Sequence, residues 1–191
     1  MAEPGYAELH AHSAFTFLEG TDLPGALVYQ AQKLGLSALA VLDIDGMYSA
    51  VQTAQAGRAA GLPIVHGTEL TLSANVFQTP GLRLPVLATS QQGYRNLCER
   101  LSNHFLAEEG RREAALTLEE IADNAQDIFV LTGTANGPLR KILDQGGPLA
   151  ARRVLDQLQE VVGKENLGVE TCLHPHDPPE LATHLADLAA A

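Results

Sequence analysis

Short apolar runs of strand length alternate with longer segments of helical periodicity along the whole chain, and this alternation leaves few folds open. Residues 7–12, 38–43, 63–71, 84–89, 127–132 and 167–173 read as strands. Leu23, Leu27, Ala31 and Leu34 share one face of a first helix, with Thr21 or Asp22 as its cap, Pro24 in its first turn and Gly35 as its stop. Residues 47–60 form a second helix ending at Gly61, and residues 91–103 a third. Thr117 and Glu120 set a capping box before a short fourth helix. Residues 133–137 form a turn before a helix. A helix opens at Gly147-Pro148 and closes at Gly163, and residues 178–191 are a last helical segment. A repeated strand–helix order implies a parallel sheet or barrel with helices outside. No long linker divides the 191 residues, so residues 1–191 read as one domain.

Composition excludes several functions. The formal net charge is -11, which repels phosphate backbones and leaves DNA only an indirect partner. Two cysteines, Cys98 and Cys172, form no CxxC pair, which fits a reducing cytoplasm. The longest apolar runs are too short to span a bilayer, so no membrane role is expected. There is no GxSxG elbow, P-loop or dinucleotide fingerprint.

What remains is a set of metal-ligand residue types at strand ends. His10 and His12 form an HxH pair, and alternate residues of a strand face the same way. Asp43 ends the second strand, Glu69 lies late in the third and His104 ends a helix. Glu170 and His174 lie in and just after the last strand. Taken singly, each has an ordinary structural use: Asp43 can cap the turn before Gly46, and His104 can complement a helix C-terminus. His66 and His184 read as structural or exposed. Recurrence at successive strand ends is what points to a metal, because parallel α/β folds build their sites there. Imidazole with carboxylate suits zinc, manganese or iron.

These residues carry a resemblance. Tyr6-Ala-Glu-Leu-His-Ala-His-Ser-Ala-Phe-Thr-Phe-Leu-Glu-Gly20 resembles the first motif of the PHP (polymerase and histidinol phosphatase) domain of bacterial DNA polymerase III alpha subunits, nearest the error-prone branch. Ala38 to Tyr48 resembles the second motif, and Gly61-Leu-Pro-Ile-Val-His-Gly-Thr-Glu-Leu70 the segment supplying a glutamate ligand. Gly93-Tyr-Arg-Asn-Leu97, Ser102-Asn-His-Phe-Leu106, Phe129-Val-Leu-Thr-Gly133 and Val169-Glu-Thr-Cys-Leu-His174 follow in family order. The resemblance implies an α/β fold, a PHP-type distorted (β/α)7 TIM-like barrel, incomplete here. It implies a divalent metal cluster whose matched positions are His10, His12, Asp43, Glu69 and His174. His104 stands one position before the family's histidine, where an ungapped match places Phe105.

Two departures qualify what the resemblance implies. The second motif's usual histidine is Ile44, which cannot bind a metal, and the last Asp-x-His motif is absent from the sequence. The expectation is therefore a cytoplasmic PHP module with a degenerate metal site. It would serve DNA replication and repair synthesis as a scaffold against the remainder of a polymerase or replication accessory proteins. The alternative is a working metal-dependent phosphoesterase, a proofreading 3′-5′ exonuclease. An unclosed barrel also leads one to expect homo-oligomer formation through uncovered edges.

Overall fold

The structure, a computed structural model, describes residues 5–107, 116–123, 125–172 and 175–190. Six strands form one sheet in chain order: β1 (Ala7–Ala11), β2 (Ala38–Val41), β3 (Ile64–Thr71), β4 (Arg83–Ala88), β5 (Ile128–Leu131) and β6 (Leu167–Gly168). The helices are α1 (Pro24–Lys33), α2 (Ala50–Ala60), α3 (Gln91–Ala107), α4 (Leu118–Ala122), α5 (Pro138–Val162) and α6 (Leu181–Ala190). None of these helices is long and apolar enough to cross a membrane.

The expectation of a purely parallel sheet needs correction. β1, β2 and β3 are parallel, as are β5 and β6, but β4 runs antiparallel to both β3 and β5. The cause lies in residues 72–82, which hold one 3-10 turn (Val76–Gln78) and no crossover helix. A parallel return needs a crossover of about a dozen residues or more, normally helical, so the chain reverses instead. The reversal starts β4 where β3 ends, with Arg83 opposite Thr71.

Two layers of side chains follow from the alternation of strand residues. Leu39 and Val41 face α1 and α2 and pack with Val28, Ala31 and Leu62. Ala40 and Leu42 face the other way and meet Leu87 and Leu131, with Leu9, Val65 and Phe129 against them, inside the curve of the sheet. The largest cluster, including Leu70, Val86, Ile128, Leu97 and Leu158, lies between β3–β5 and helices α3 to α5. The sheet curls into a half-barrel, and His10 of β1 reaches Glu170, just after β6, at 2.8 Å.

Most helix ends follow the sequence signals. Gly61 caps α2 in the left-handed region (φ 67°), and Thr117 with Glu120 closes a full capping box on α4. At α1 the cap is Leu23, without a side-chain hydrogen bond, rather than Thr21 or Asp22. α5 begins at Pro138, directly after the turn expected at residues 133–137. Gly147 (φ 74°) breaks it, and Pro148 opens its second half. The charged stretch 108–113 lies outside the described residues.

Candidate metal centre

β1 delivers His10 and, one residue past its end, His12; β3 delivers Glu69. One donor atom from each lies within 4.8 Å of the others. His10 Nε2 is 3.4 Å from Glu69 Oε1, and His12 Nε2 is 3.2 Å from Glu69 Oε2. The two rings stand edge to face, with centroids 5.2 Å apart. The Glu69 side chain is only 2% exposed and that of His10 5%. Close as they are, these contacts lack hydrogen-bond alignment: His10 Nε2, His12 Nε2, Glu69 Oε2 and Glu170 Oε2 are all buried without a hydrogen-bond partner. Buried polar atoms in that state are rare. Imidazole nitrogens and carboxylate oxygens that converge in this way form a donor set that suits a divalent cation.

The surrounding residues orient this set. His10 Nδ1 lies 2.8 Å from Glu170 Oε1. An ionised carboxylate only accepts, so Nδ1 carries the proton and Nε2 is turned toward Glu69. Glu170 is itself placed by β5, because its N–H donates to Thr132 Oγ1 at 2.9 Å. From the reversed strand β4, Arg83 Nη1 pairs with Glu19 Oε1 at 2.6 Å and lies 3.8 Å from Glu69 Oε2. Burial opposes the charged form of His10, but Glu170 and Glu69 outweigh it and push its pKa from 6.5 to about 9. Burial likewise opposes ionisation of Glu69, yet His10 and His12 pull its pKa from 4.5 down to about 2.

These shifts give a pH dependence with a definite sign. The raised His10 pKa contributes stability that is full below pH 6.5 and lost as pH rises through about 9. The lowered Glu69 pKa contributes stability present above pH 4.5 and lost as pH falls through about 2. In chelator, the melting temperature is therefore expected to fall by several degrees between pH 6.5 and 9, which thermal denaturation at stepped pH checks. A divalent cation competes with the His10 proton, so its apparent affinity should rise over the same window.

Not every residue expected at this centre reaches it. Asp43 is buried, but its carboxylate holds the loop after β1 and the entrance to α2. Oδ1 accepts from Ser13 N–H, Ser13 Oγ and Thr16 Oγ1 at 3.0, 2.7 and 3.0 Å, and Oδ2 accepts from Ser49 N–H at 3.2 Å. His104 sits in the last turn of α3, edge-on to Phe105, and does not join the His10, His12 and Glu69 group. His174 lies outside the described residues. The structure adds Glu19 and Arg83, and it brings Glu170, noted in the sequence at the last strand, to His10. Glu170 is legible as a strand-end carboxylate. Arg83 has no signal until the reversal of β4 is known, and Glu19 depends on the fold of a loop.

A curled α/β half-barrel with a His-x-His and glutamate donor set at one end of its strands defines the class. The PHP domain model matches residues 8–174, and the chain belongs to that family. It is 39% identical over 176 residues to error-prone DNA polymerases of Mycobacterium bovis and Mycobacterium tuberculosis. These matches cover 90% of this chain and 16% of the polymerases. The error-prone DNA polymerase of Cutibacterium acnes is 39% identical over 176 residues, covering 88% of this chain and 15% of that protein. The chain thus spans about a sixth of the length of these relatives. Among solved structures, a protein from Bifidobacterium adolescentis described as a metal-dependent phosphoesterase superposes with a TM-score of 0.66 at 18% identity. That match covers 97% of this chain and 83% of the other, and it shows a shared fold.

Proposed function

We propose that this chain is the PHP module of an error-prone polymerase-type protein, with a reduced metal centre that holds one divalent cation and binds phosphodiester. The carrying observation is the convergence of buried, unpartnered donor atoms from His10, His12 and Glu69. Charge supports it. Once the two imidazoles act as neutral ligands, Glu19, Glu69 and Glu170 keep Arg83 as their paired cation, which leaves an excess negative charge for a metal to balance. Asp43, His104 and His174, the other ligand positions expected from the sequence, are not needed for this proposal. Zinc, manganese and iron all suit the donors.

A cation bound there would set positive charge against a phosphoryl oxygen and acidify a water molecule. The chain's own residues define the rest. His10 and His12 present Nε2 atoms from one strand face. Glu170 fixes the His10 ring. Arg83 offers a guanidinium that can fork onto phosphate oxygens. Two residues argue for a reduced centre rather than a full cluster. Ile44 pairs through its backbone with Glu69 and brings an aliphatic side chain to the rim, and Arg83 already places a cation near Glu69.

In the parent protein the module would pack against the remaining polymerase or replication accessory proteins in the cytoplasm. A second reading, a scaffold without metal, is favoured by one observation: protonated His10 can itself bridge Glu69 and Glu170. Metal titration separates the two. Ile44→His is expected to raise the bound metal above one equivalent, read by elemental analysis after dialysis. An unchanged stoichiometry would mean that Arg83, not Ile44, limits the site.

A further inference from the structure

The reversal of β4 leaves a gap in the outer helical layer. No crossover helix joins β3 to β4, so α2 and α3 stand on either side of a cavity of about 600 Å³. Its floor includes Ile64 and His66 of β3, and its walls include Val51 and Ala54 of α2 and Gln91 and Tyr94 of α3. α2 rests on Ile64 through Gly57, where a Cβ would lie 2.3 Å from Ile64 Cγ1. α3 rests on His66 through Tyr94, with ring centroids 5.6 Å apart. Burial lowers the His66 pKa, so this floor carries no charge at neutral pH.

An apolar projection stands beside it. Phe17 is 85% exposed, and neighbouring Leu18 is fully exposed with φ 70°, an uncommon conformation for leucine. The loop that presents them is firmly held. Ala14 N–H donates to Asp22 O at 2.8 Å, Gly20 N–H to Thr16 O at 2.9 Å, and Thr16 Oγ1 to Asp43 Oδ1 at 3.0 Å. Tyr48 shares a wall with Phe17, and Val51 follows it in the first turn of α2; both are exposed. These two side chains carry the apolar surface from the loop to the cavity. A contiguous exposed patch of this kind marks an interaction site.

Charge says what covers it. Arg58, one turn past Ala54 on α2, and Arg95, one turn past Gln91 on α3, flank the cavity. Both are exposed, and neither forms an ion pair among the described residues. Residues 46–68 and 84–98 contain no aspartate or glutamate, in a chain whose net charge is -11. The projecting loop, by contrast, is followed by Glu19 and exposed Asp22. We infer that two copies of this chain associate about a twofold axis, the Phe17–Leu18 loop of each seated in the α2–α3 cavity of the other. The acidic flank of the loop then meets Arg58 and Arg95. Loop and cavity lie close together on each copy, so a twofold axis makes the contact twice and closes the pair. Other faces of two chains this acidic repel each other. The contact uses this face and not the open edges of the sheet, and it is independent of the metal centre.

Sedimentation equilibrium of the purified chain in chelator, over a wide range of concentrations, tests this. The mass is expected to rise from one copy to two and no further. Phe17→Asp removes the projection and Ala54→Arg fills the cavity. Each should weaken association by about 10-fold or more, with a melting temperature in dilute solution close to that of the parent chain. Mixed together, the two variants should regain part of the lost association, because the intact loop of one meets the intact cavity of the other. Arg58→Glu should also weaken the pair, and Asp22→Lys in the same chain should restore it. A chain that stays monomeric throughout overturns the inference, as does a dimer that neither Phe17→Asp nor Ala54→Arg weakens. A dimer lost with Phe17→Asp but kept with Ala54→Arg would set loop against loop and overturn the insertion.

Discussion

Replacing Asp43 with alanine is expected to lower the melting temperature by about 10 °C, the largest loss of stability from any single change near the centre. The residue is 1% exposed, and its carboxylate accepts from Ser13 N–H, Ser13 Oγ, Thr16 Oγ1 and Ser49 N–H. Removing it strands all four donors. Breaking a buried charged network in this way costs roughly 3–5 kcal/mol, and a domain of this size loses about 2–4 °C per kcal/mol. Asp43→Asn should fall between the two, because its amide keeps one acceptor oxygen but turns donors toward Ser49 N–H or the hydroxyls. Thermal denaturation in chelator isolates this effect from any metal. A variant with an unchanged melting temperature but lost metal would show that Asp43 serves as a ligand rather than as the tie of the loop.

Glu69→Gln is expected to weaken divalent-cation binding by more than about 100-fold with little change in fold. Glu69 is the carboxylate that both imidazoles face, at 3.4 and 3.2 Å. Glutamine nearly keeps the shape but loses the charge, and its amide nitrogen must face one of the two rings. The same change removes one of the two carboxylates that raise the His10 pKa, so the loss of stability between pH 6.5 and 9 should shrink. Calorimetric titration with zinc or manganese at fixed pH reads the first effect, and denaturation across pH the second. Undiminished affinity would place the cation away from Glu69.

Much of this was legible in the sequence because it depends on local pattern. The strand periods, the αL glycine at Gly61 and the Thr117–Glu120 box each report structure within a few residues. His10, His12 and Glu69 were legible for the same reason: the two histidines stand two apart at the end of β1 and the glutamate late in β3, and residues two apart in extended chain face the same way. Arg83 was not, since its approach to Glu69 requires β4 to reverse, and nothing in residues 84–89 encodes direction. Asp43 shows a subtler limit. Being at a strand end marks it as a donor, but it lies two residues beyond β2, where hydroxyls and amides of the loop after β1 and of the entrance to α2 claim its oxygens. The helix expected after the turn at residues 133–137 and the one expected from Gly147-Pro148 both form, and they run on as α5 because only Gly147 leaves helical geometry between them.

His10, His12 and Glu69 are proposed to hold a divalent cation. Equilibrium dialysis of the purified chain against zinc and manganese, followed by elemental analysis, tests it most directly, with a His10→Ala, His12→Ala double variant beside it. About one equivalent is expected to stay with the chain and none with the variant. No bound metal in either protein, or equal metal in both, would contradict it.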